Sequence, residues 1–447
     1  MASSHTLDLT QGSIIKKLVS FVIPILLSAV LQNLYTIADR IVVGQYVGDE
    51  ALAAVGSTGS AIALILNLVN GVAIGVNVVC ANLKGARKFK TLEKCMHTVM
   101  VLAVICGVGM GLFGVLLSKP ILQLMATPAQ VLDGATLYMQ LYFAGVPALL
   151  VYNFGAAILR AYGDTKRTMY TLTATGLVNV CLNLLFVIVF RFGVAGVAIA
   201  TMIAQIISAA VVLMILFSKK DEYKLQFKAL RLDKAQVVKI LRVGIPCGLN
   251  GVVFNIANVI LQSSINSFNS VAIVAGNTAA NDVTNFNYLV INSFNAGMVS
   301  FAGQCYGARQ YKRIDKLAGT AMLLCNSILL TMAVVMTVWA RPILGLFNSQ
   351  PEVVDAGWFR LVLCAWTYML YAPSEIYTGC IRGMGRSTAP MIMNFAGVCL
   401  PRIVWAMLIF PLHRTPEFLY LCWPISWVIS SAMQMIYYFH IRKKLKE

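Results

Sequence analysis

The sequence predicts an all-α polytopic membrane protein: twelve transmembrane helices in two six-helix bundles related by a pseudo-twofold axis along the membrane normal. Three observations carry this. Long apolar runs recur along the chain, basic residues cluster in alternate loops between them, and a set of landmarks repeats at a constant offset.

The apolar runs come first. Of 447 residues, 59% are hydrophobic and only 12% charged, and the mean hydropathy is +0.78. About 20 apolar residues in a helix cover the hydrocarbon core of a bilayer. Runs of at least that length fall at 14–38, 51–80, 94–117, 129–158, 168–190, 193–217, 240–267, 271–304, 317–340, 353–380, 388–411 and 417–440. A transmembrane β-barrel would instead carry short alternating segments. The first run lies within Gly12–Glu50, led by Lys16 and Lys17, interrupted by Pro24 and ended by Asp39. Met1–Gln11 is polar and the run behind it is long enough to span, so no cleavable signal is expected.

The charges set the orientation. Of 35 lysines and arginines, all but Arg40, Lys119, Arg191, Arg341, Arg360, Arg402 and Arg414 lie at the termini or in the loops after even-numbered spans. By the positive-inside rule both termini are cytoplasmic. The net charge of +18 follows the loops and gives no reason to expect nucleic acid.

The repeat has an offset of 222 positions, from Pro24 to Pro246. It also relates Gly85-Ala86-Arg87 to Gly307-Ala308-Arg309, Pro120-Ile121-Leu122 to Pro342-Ile343-Leu344, Asp133 to Asp355, Arg160 to Arg382 and Gly163 to Gly385. An N-terminal lobe of residues 1–218 and a C-terminal lobe of 240–447 are expected, joined by a basic linker, 219–239. The linker reads equally as an amphipathic segment on the anionic inner leaflet or as a solvated loop. Six spans per half make the repeats parallel, and such halves meet at a seam where carriers hold substrate.

No cofactor or metal is expected. The eleven cysteines form no CxxC pair. His5, His97, His413 and His440 fall in no zinc spacing. The spans lack a His/Asp dyad or nucleophile motif, so an enzyme is not expected. Gly71 with Gly75, and Gly107 with Gly111, are spaced for close helix packing.

Several stretches together resemble the multidrug and toxic compound extrusion (MATE) family, and most of all its bacterial branch that includes DNA-damage-inducible proteins. They are Asp39-Arg40-Ile41-Val42-Val43-Gly44, Ala51-Leu52-Ala53-Ala54-Val55-Gly56, Leu159-Arg160-Ala161-Tyr162-Gly163-Asp164-Thr165, Asn179-Val180-Cys181-Leu182-Asn183, Gly193-Val194-Ala195-Gly196 and Ile381-Arg382-Gly383-Met384-Gly385. The resemblance covers nearly the whole chain. It implies a secondary antiporter that exports amphipathic or cationic compounds in exchange for H+ or Na+. It further implies a monomer in the bacterial plasma membrane, with small-molecule substrates and membrane lipids as its partners and only the coupling ion as cofactor. A lipid-linked oligosaccharide flippase of the same superfamily is the alternative; it would be expected to line its cleft with several arginines.

Carried onto this chain, the family's N-terminal cation site falls on Asp39, Asn179, Asn183 and Thr201. Many relatives have an aspartate where this chain has Asn183, which leaves one carboxylate instead of two. In the C-terminal half, the acids of another branch are replaced near Asn255 and Tyr371. Glu375 is then the one acid inside its span, either a transport residue or the ion-pair partner of Arg402. An acid at a span's end is costly without water, a partner or a role. Asp39 is therefore read as a proton switch coupled to a helix bend at Pro24; its bland alternative is an ion pair with Arg40.

Overall fold

The computed structural model describes residues 7–218, 225–348 and 350–445, without the side chains of Arg40, Asp49 and Leu52. Among the described residues there are helices and no strands. The first six long helices are α1 (Ile14–Tyr46), α2 (Asp49–Gly85), α3 (Phe89–Leu124), α4 (Ala129–Ala161), α5 (Lys166–Leu184) and α6 (Gly193–Ser218). Next come α7 (Lys234–Asn266), α8 (Val271–Gly307), α9 (Tyr311–Val338), α10 (Ala340–Gly345) and α11 (Pro351–Gly383). The last predicted spans are built from shorter pieces, α12 (Thr388–Asn394) with α13 (Leu400–Val404), and α14 (Pro416–Tyr420) with α15 (Cys422–Lys444). Wide π-type turns at Leu185–Val189, Phe395–Cys399 and Trp405–Ile409 interrupt two of the spans; such turns re-aim side chains locally.

Among the described residues eleven helical stretches are long and apolar enough to cross a membrane, as a multi-pass membrane protein requires. The remaining predicted span is α8. Its 37 residues are long enough, but it carries six asparagines, at 277, 281, 285, 287, 292 and 295. Polar side chains in a span are tolerated where they find partners inside the protein, and α8 presents Asn277, Asn281 and Asn295 to its neighbours.

The chain divides into two compact units. Unit 1 contains Leu7, Asp8 and Ile23–Gly248, and unit 2 contains Leu9–Val22 and the chain from Leu249. These bounds differ from the lobes and linker expected from sequence. Each helix of the Pro24/Pro246 pair is shared out, with the change of unit within two residues of its proline. Proline cannot donate the backbone hydrogen bond of its turn, and in α1 the Ser28 hydroxyl donates to the Pro24 carbonyl at 2.7 Å.

In unit 1, small residues let helices meet backbone to backbone. A Cβ on Gly71 would overlap the backbone of Gly248, and one on Gly107 would stand 2.6 Å from the Pro147 Cα. The paired glycines read from the sequence serve this packing. Only part of the basic linker is described, since 219–224 lie outside the described residues. The rest is neither a long amphipathic helix nor a free loop. Leu225 is fully buried, and the Gln226 amide donates to His97 Nε2 at 2.9 Å. Thr98 Oγ1 both donates to the Arg231 carbonyl and accepts from the Asp233 amide. Two side chains of α3 thus pin the segment.

In unit 2, the N-terminal segment is a built part of the core. Leu9 is fully buried, and its amide donates to Gln304 Oε1 at 3.1 Å. Arg313 donates to the carbonyls of Leu9, Gln11 and Gly12. At one end of α15, Asp315 accepts from Arg442 Nε at 2.6 Å and from the Tyr438 hydroxyl at 2.7 Å.

The two units repeat in conformation as well as in sequence. Gly163 and Gly385 both have left-handed backbones, at φ 82° and 81°, and so do Arg87 and Arg309, at 54° and 57°. The ion pair Lys119–Asp133 of unit 1 corresponds, at the same offset, to Arg341–Asp355 of unit 2. Local geometry repeated at equivalent positions is what duplication of one six-span unit leaves behind.

Candidate functional site

Two polar clusters lie among the apolar helices, one in each unit. In unit 1, the polar residues Thr171, Thr175, Asn179 and Asn183 recur every fourth position along α5, which lines them up on one face. Asn183 Nδ2 donates to the Asp39 carboxylate of α1. It also lies 3.4 Å from Asn179 Oδ1, and Asn179 Nδ2 lies 3.4 Å from Thr201 Oγ1 of α6. The Thr201 hydroxyl closes the chain on the Val197 carbonyl at 3.0 Å. All four residues assigned by resemblance are thus brought together. Among the described residues no basic side chain lies within ion-pair distance of Asp39; the Arg40 side chain lies outside them.

Asp39 and Asn179 open onto a cavity of about 230 Å³ that Tyr142, Tyr152, Gln205 and Ser208 also line. Buried amides are costly to leave unpaired, yet Asn183 Oδ1 and Gln205 Oε1 are buried without a hydrogen-bond partner. Gln205 and the two tyrosines were not anticipated. A signal for Gln205 was available, because it follows Thr201 by one helical turn on α6.

In unit 2, Glu375 of α11 is buried. Its carboxylate accepts from Asn295 Nδ2 at 2.8 Å and from the Tyr371 hydroxyl at 2.9 Å. Arg402 is 1% exposed. It donates to Ser426 Oγ at 3.1 Å and Asn258 Oδ1 at 3.3 Å, and its guanidinium sits over the ring of Phe254. Among the described residues Glu375 and Arg402 form no ion pair with each other. Each is held by neutral groups, which is a correction to the pairing weighed from sequence. Tyr371 joins the cluster, whereas Asn255 makes no hydrogen bond there; its neighbours Phe254 and Asn258 contact Arg402 instead.

Sequence reasoning missed Arg360. It is 4% exposed and donates to the carbonyl and the side-chain oxygen of Asn277 and to Asn281 Oδ1. Its signal was a basic residue inside an apolar run with no acid one helical turn away to pair with it.

Comparison with known proteins fits this architecture. The MatE family profile matches residues 24–185 and 246–408, one match in each half. The chain is 28% identical to "Probable multidrug resistance protein YpnP" of Bacillus subtilis over 438 residues, covering 98% of this chain and 97% of that protein. It is 25% identical to "Probable multidrug resistance protein YoeA" of the same organism, over 87% and 85% of the two chains. A solved structure described as the outward-facing conformation of a multidrug resistance MATE family transporter superposes over the full length of both chains, with a TM-score of 0.93 at 22% identity. A transporter structure from Pyrococcus furiosus, described as having a binding pocket of reverse polarity, gives the same score and identity. A family match in both halves, a twelve-helix two-lobe fold and full-length likeness to transporters lead to one statement: this chain belongs to the MatE family of multidrug efflux transporters and is not an enzyme.

Proposed function

We propose that the protein is a secondary antiporter that expels small amphipathic, often cationic, compounds in exchange for protons taken up at Asp39. It works as a monomer in the bacterial plasma membrane with both termini in the cytoplasm, and the lobes alternate access by rocking. The observation that carries the reading is the polar chain Asp39–Asn183–Asn179–Thr201 beside a cavity in unit 1. The names of the similar Bacillus proteins support the substrate class.

The chemistry is that of an acid whose partners depend on its charge. As a carboxylate, Asp39 draws the Asn183 amide toward it. A proton removes the charge and weakens that bond, because hydrogen bonds to ionised acceptors are roughly twice as strong as neutral ones. Asn183 is then free to turn toward Asn179, and the α5 face changes its hold on α1. Pro24 is where α1 has a missing backbone bond to bend at.

Sodium as the coupling ion is supported by one observation. The side-chain oxygens of Asn183 and Gln205 are buried and unbonded, and with Asp39 they offer the oxygen ligands that a hard cation takes. A lipid-linked sugar flippase is favoured only by Arg360 and Arg402, two buried arginines of unit 2 held by neutral groups.

Inverted vesicles preloaded with an imposed gradient separate these readings. Expected is accumulation of ethidium driven by a pH gradient in sodium-free buffer. Accumulation driven by sodium alone assigns the other ion. No movement of soluble dye under either gradient overturns the antiporter reading.

A further inference from the structure

We infer that the cavity of unit 2 between α7, α8 and α11 is a binding site for the oxyanion of a small organic acid, with Arg360 as its anchor. The cavity holds about 240 Å³, and Asn258, Asn277, Asn281, Arg360 and Trp423 line it.

Arginine keeps its charge in proteins. Burying a guanidinium without an anion is costly, and membrane proteins do so mainly where a substrate or ion passes. Arg360 is buried, and none of its hydrogen-bond partners carries a negative charge. Among the described residues its Nε has no hydrogen-bond partner. Arg402 is in the same position: among the described residues it donates to Ser426 and Asn258, both neutral. The indole of Trp423 lies 5.1 Å from the Arg360 guanidinium and 5.7 Å from that of Arg402. Two fixed cations therefore flank one aromatic wall. Among the described residues Glu375 forms no ion pair with either arginine; its two carboxylate oxygens accept from Asn295 and Tyr371.

Two buried guanidinium groups in a low-dielectric setting are where an anion gains most. The planar fork of Arg360 matches a carboxylate or phosphate, and the Trp423 ring matches an apolar body attached to it. The volume suits a group the size of a benzoate ion. The site extends the proposed export function by giving the unit-2 cavity a charge preference opposite to that of Asp39 in unit 1. It rests on the transporter reading only for its role, since binding is measured with no gradient present.

The test uses the full chain in nanodiscs of neutral phosphatidylcholine. Benzoate, its neutral counterpart benzyl alcohol and its cationic counterpart benzylamine are titrated by calorimetry. We expect benzoate to bind about tenfold or more tightly than the other two, one charge-assisted bidentate contact being worth at least that. Arg360→Gln should remove the difference. Asn281→Asp should do the same by placing a carboxylate against Arg360; Asn281 is exposed, so this variant keeps the test decisive if Arg360→Gln fails to fold. Adding phosphatidylglycerol identifies the source of the oxyanion: competition with benzoate assigns the same site to a lipid headgroup, and no competition assigns it to a soluble acid. Equal binding of benzoate and benzyl alcohol, or benzoate binding unchanged in Asn281→Asp, overturns the inference.

Discussion

Asn295 Nδ2 of α8 stands 2.8 Å from both the carbonyl oxygen and the carboxylate Oε2 of Glu375 on α11. One amide therefore fixes an acid and its backbone together, where sequence left an ion pair with Arg402 as one of two readings. The relationship changes what the C-terminal acid is expected to do. An ion pair tolerates swapping both partners to neutral residues, whereas an acid held by an amide and a phenol has no second charge to remove.

Glu375→Gln and Arg402→Gln should accordingly each reduce transport, and the double variant should show no recovery. Proteoliposome efflux in the two single variants and the double variant checks this. Recovery in the double variant would show that the two residues act as a pair in some other state. Tyr371→Phe should cost about 1.5–3 kcal/mol of stability, the usual value of a hydrogen bond to a charged group.

Asp39→Asn is expected to abolish gradient-driven efflux while leaving the thermal midpoint nearly unchanged. The substituted amide still fits beside Asn183, but it cannot cycle between charged and neutral forms. Efflux from proteoliposomes under an imposed pH gradient measures it, and gradient-driven efflux at the original rate contradicts the assignment.

Asn183→Asp should restore a second carboxylate about one helical turn from Asn179. With the orphaned Gln205 oxygen nearby in unit 1, the site gains the charge to hold sodium. Expected is a new sodium dependence of dye efflux in the variant. No change in the response to sodium would show that the unbonded oxygens take no part in ion binding.

Gly71→Ala should destabilise unit 1, because the added methyl runs into the backbone of Gly248. Overpacking of this kind costs about 1–3 kcal/mol. Gly109→Ala on α3 meets nothing within 4 Å and should be neutral or slightly stabilising, since alanine is the better helix former by about 0.8–1 kcal/mol. Paired thermal melts in one detergent compare them.

Arg442→Met leaves the Asp315 carboxylate short of two hydrogen bonds, from Nε and Nη2. Breaking a largely buried pair from one side costs about 3–5 kcal/mol, and the exposure of Asp315 (37%) puts the expected loss at or below the low end. Asp315→Asn combined with Arg442→Met should recover part of it.

The one-dimensional record carried the fold a long way. Membrane insertion is legible because a bilayer demands about 20 apolar residues per helix. Duplication is legible because landmarks recur at one offset; Gly163 and Gly385 keep glycine where the backbone is left-handed, and Arg87 and Arg309 share that backbone conformation. α8 was found as a span despite its asparagines, but their purpose was not visible. Asn277, Asn281 and Asn295 serve partners about 80 residues away on α11, beyond the reach of any local pattern. The grouping of Asp39, Asn179, Asn183 and Thr201 was indicated by family resemblance alone; the cavity beside it was not.

Sequence by itself determined that this chain lives in a membrane, that it is built twice from six spans, and that an acid, Asp39, ends the first apolar run. These follow from solvation and periodicity, which act locally. Tertiary structure decided the partners: Asn183 for Asp39, Asn295 and Tyr371 for Glu375, and amides instead of acids for Arg360 and Arg402. It also decided that α1 and α7 change units beside their prolines. Which charge meets which partner depends on how distant helices pack, and that packing is set by side-chain shape over the whole unit, not by any short stretch of chain.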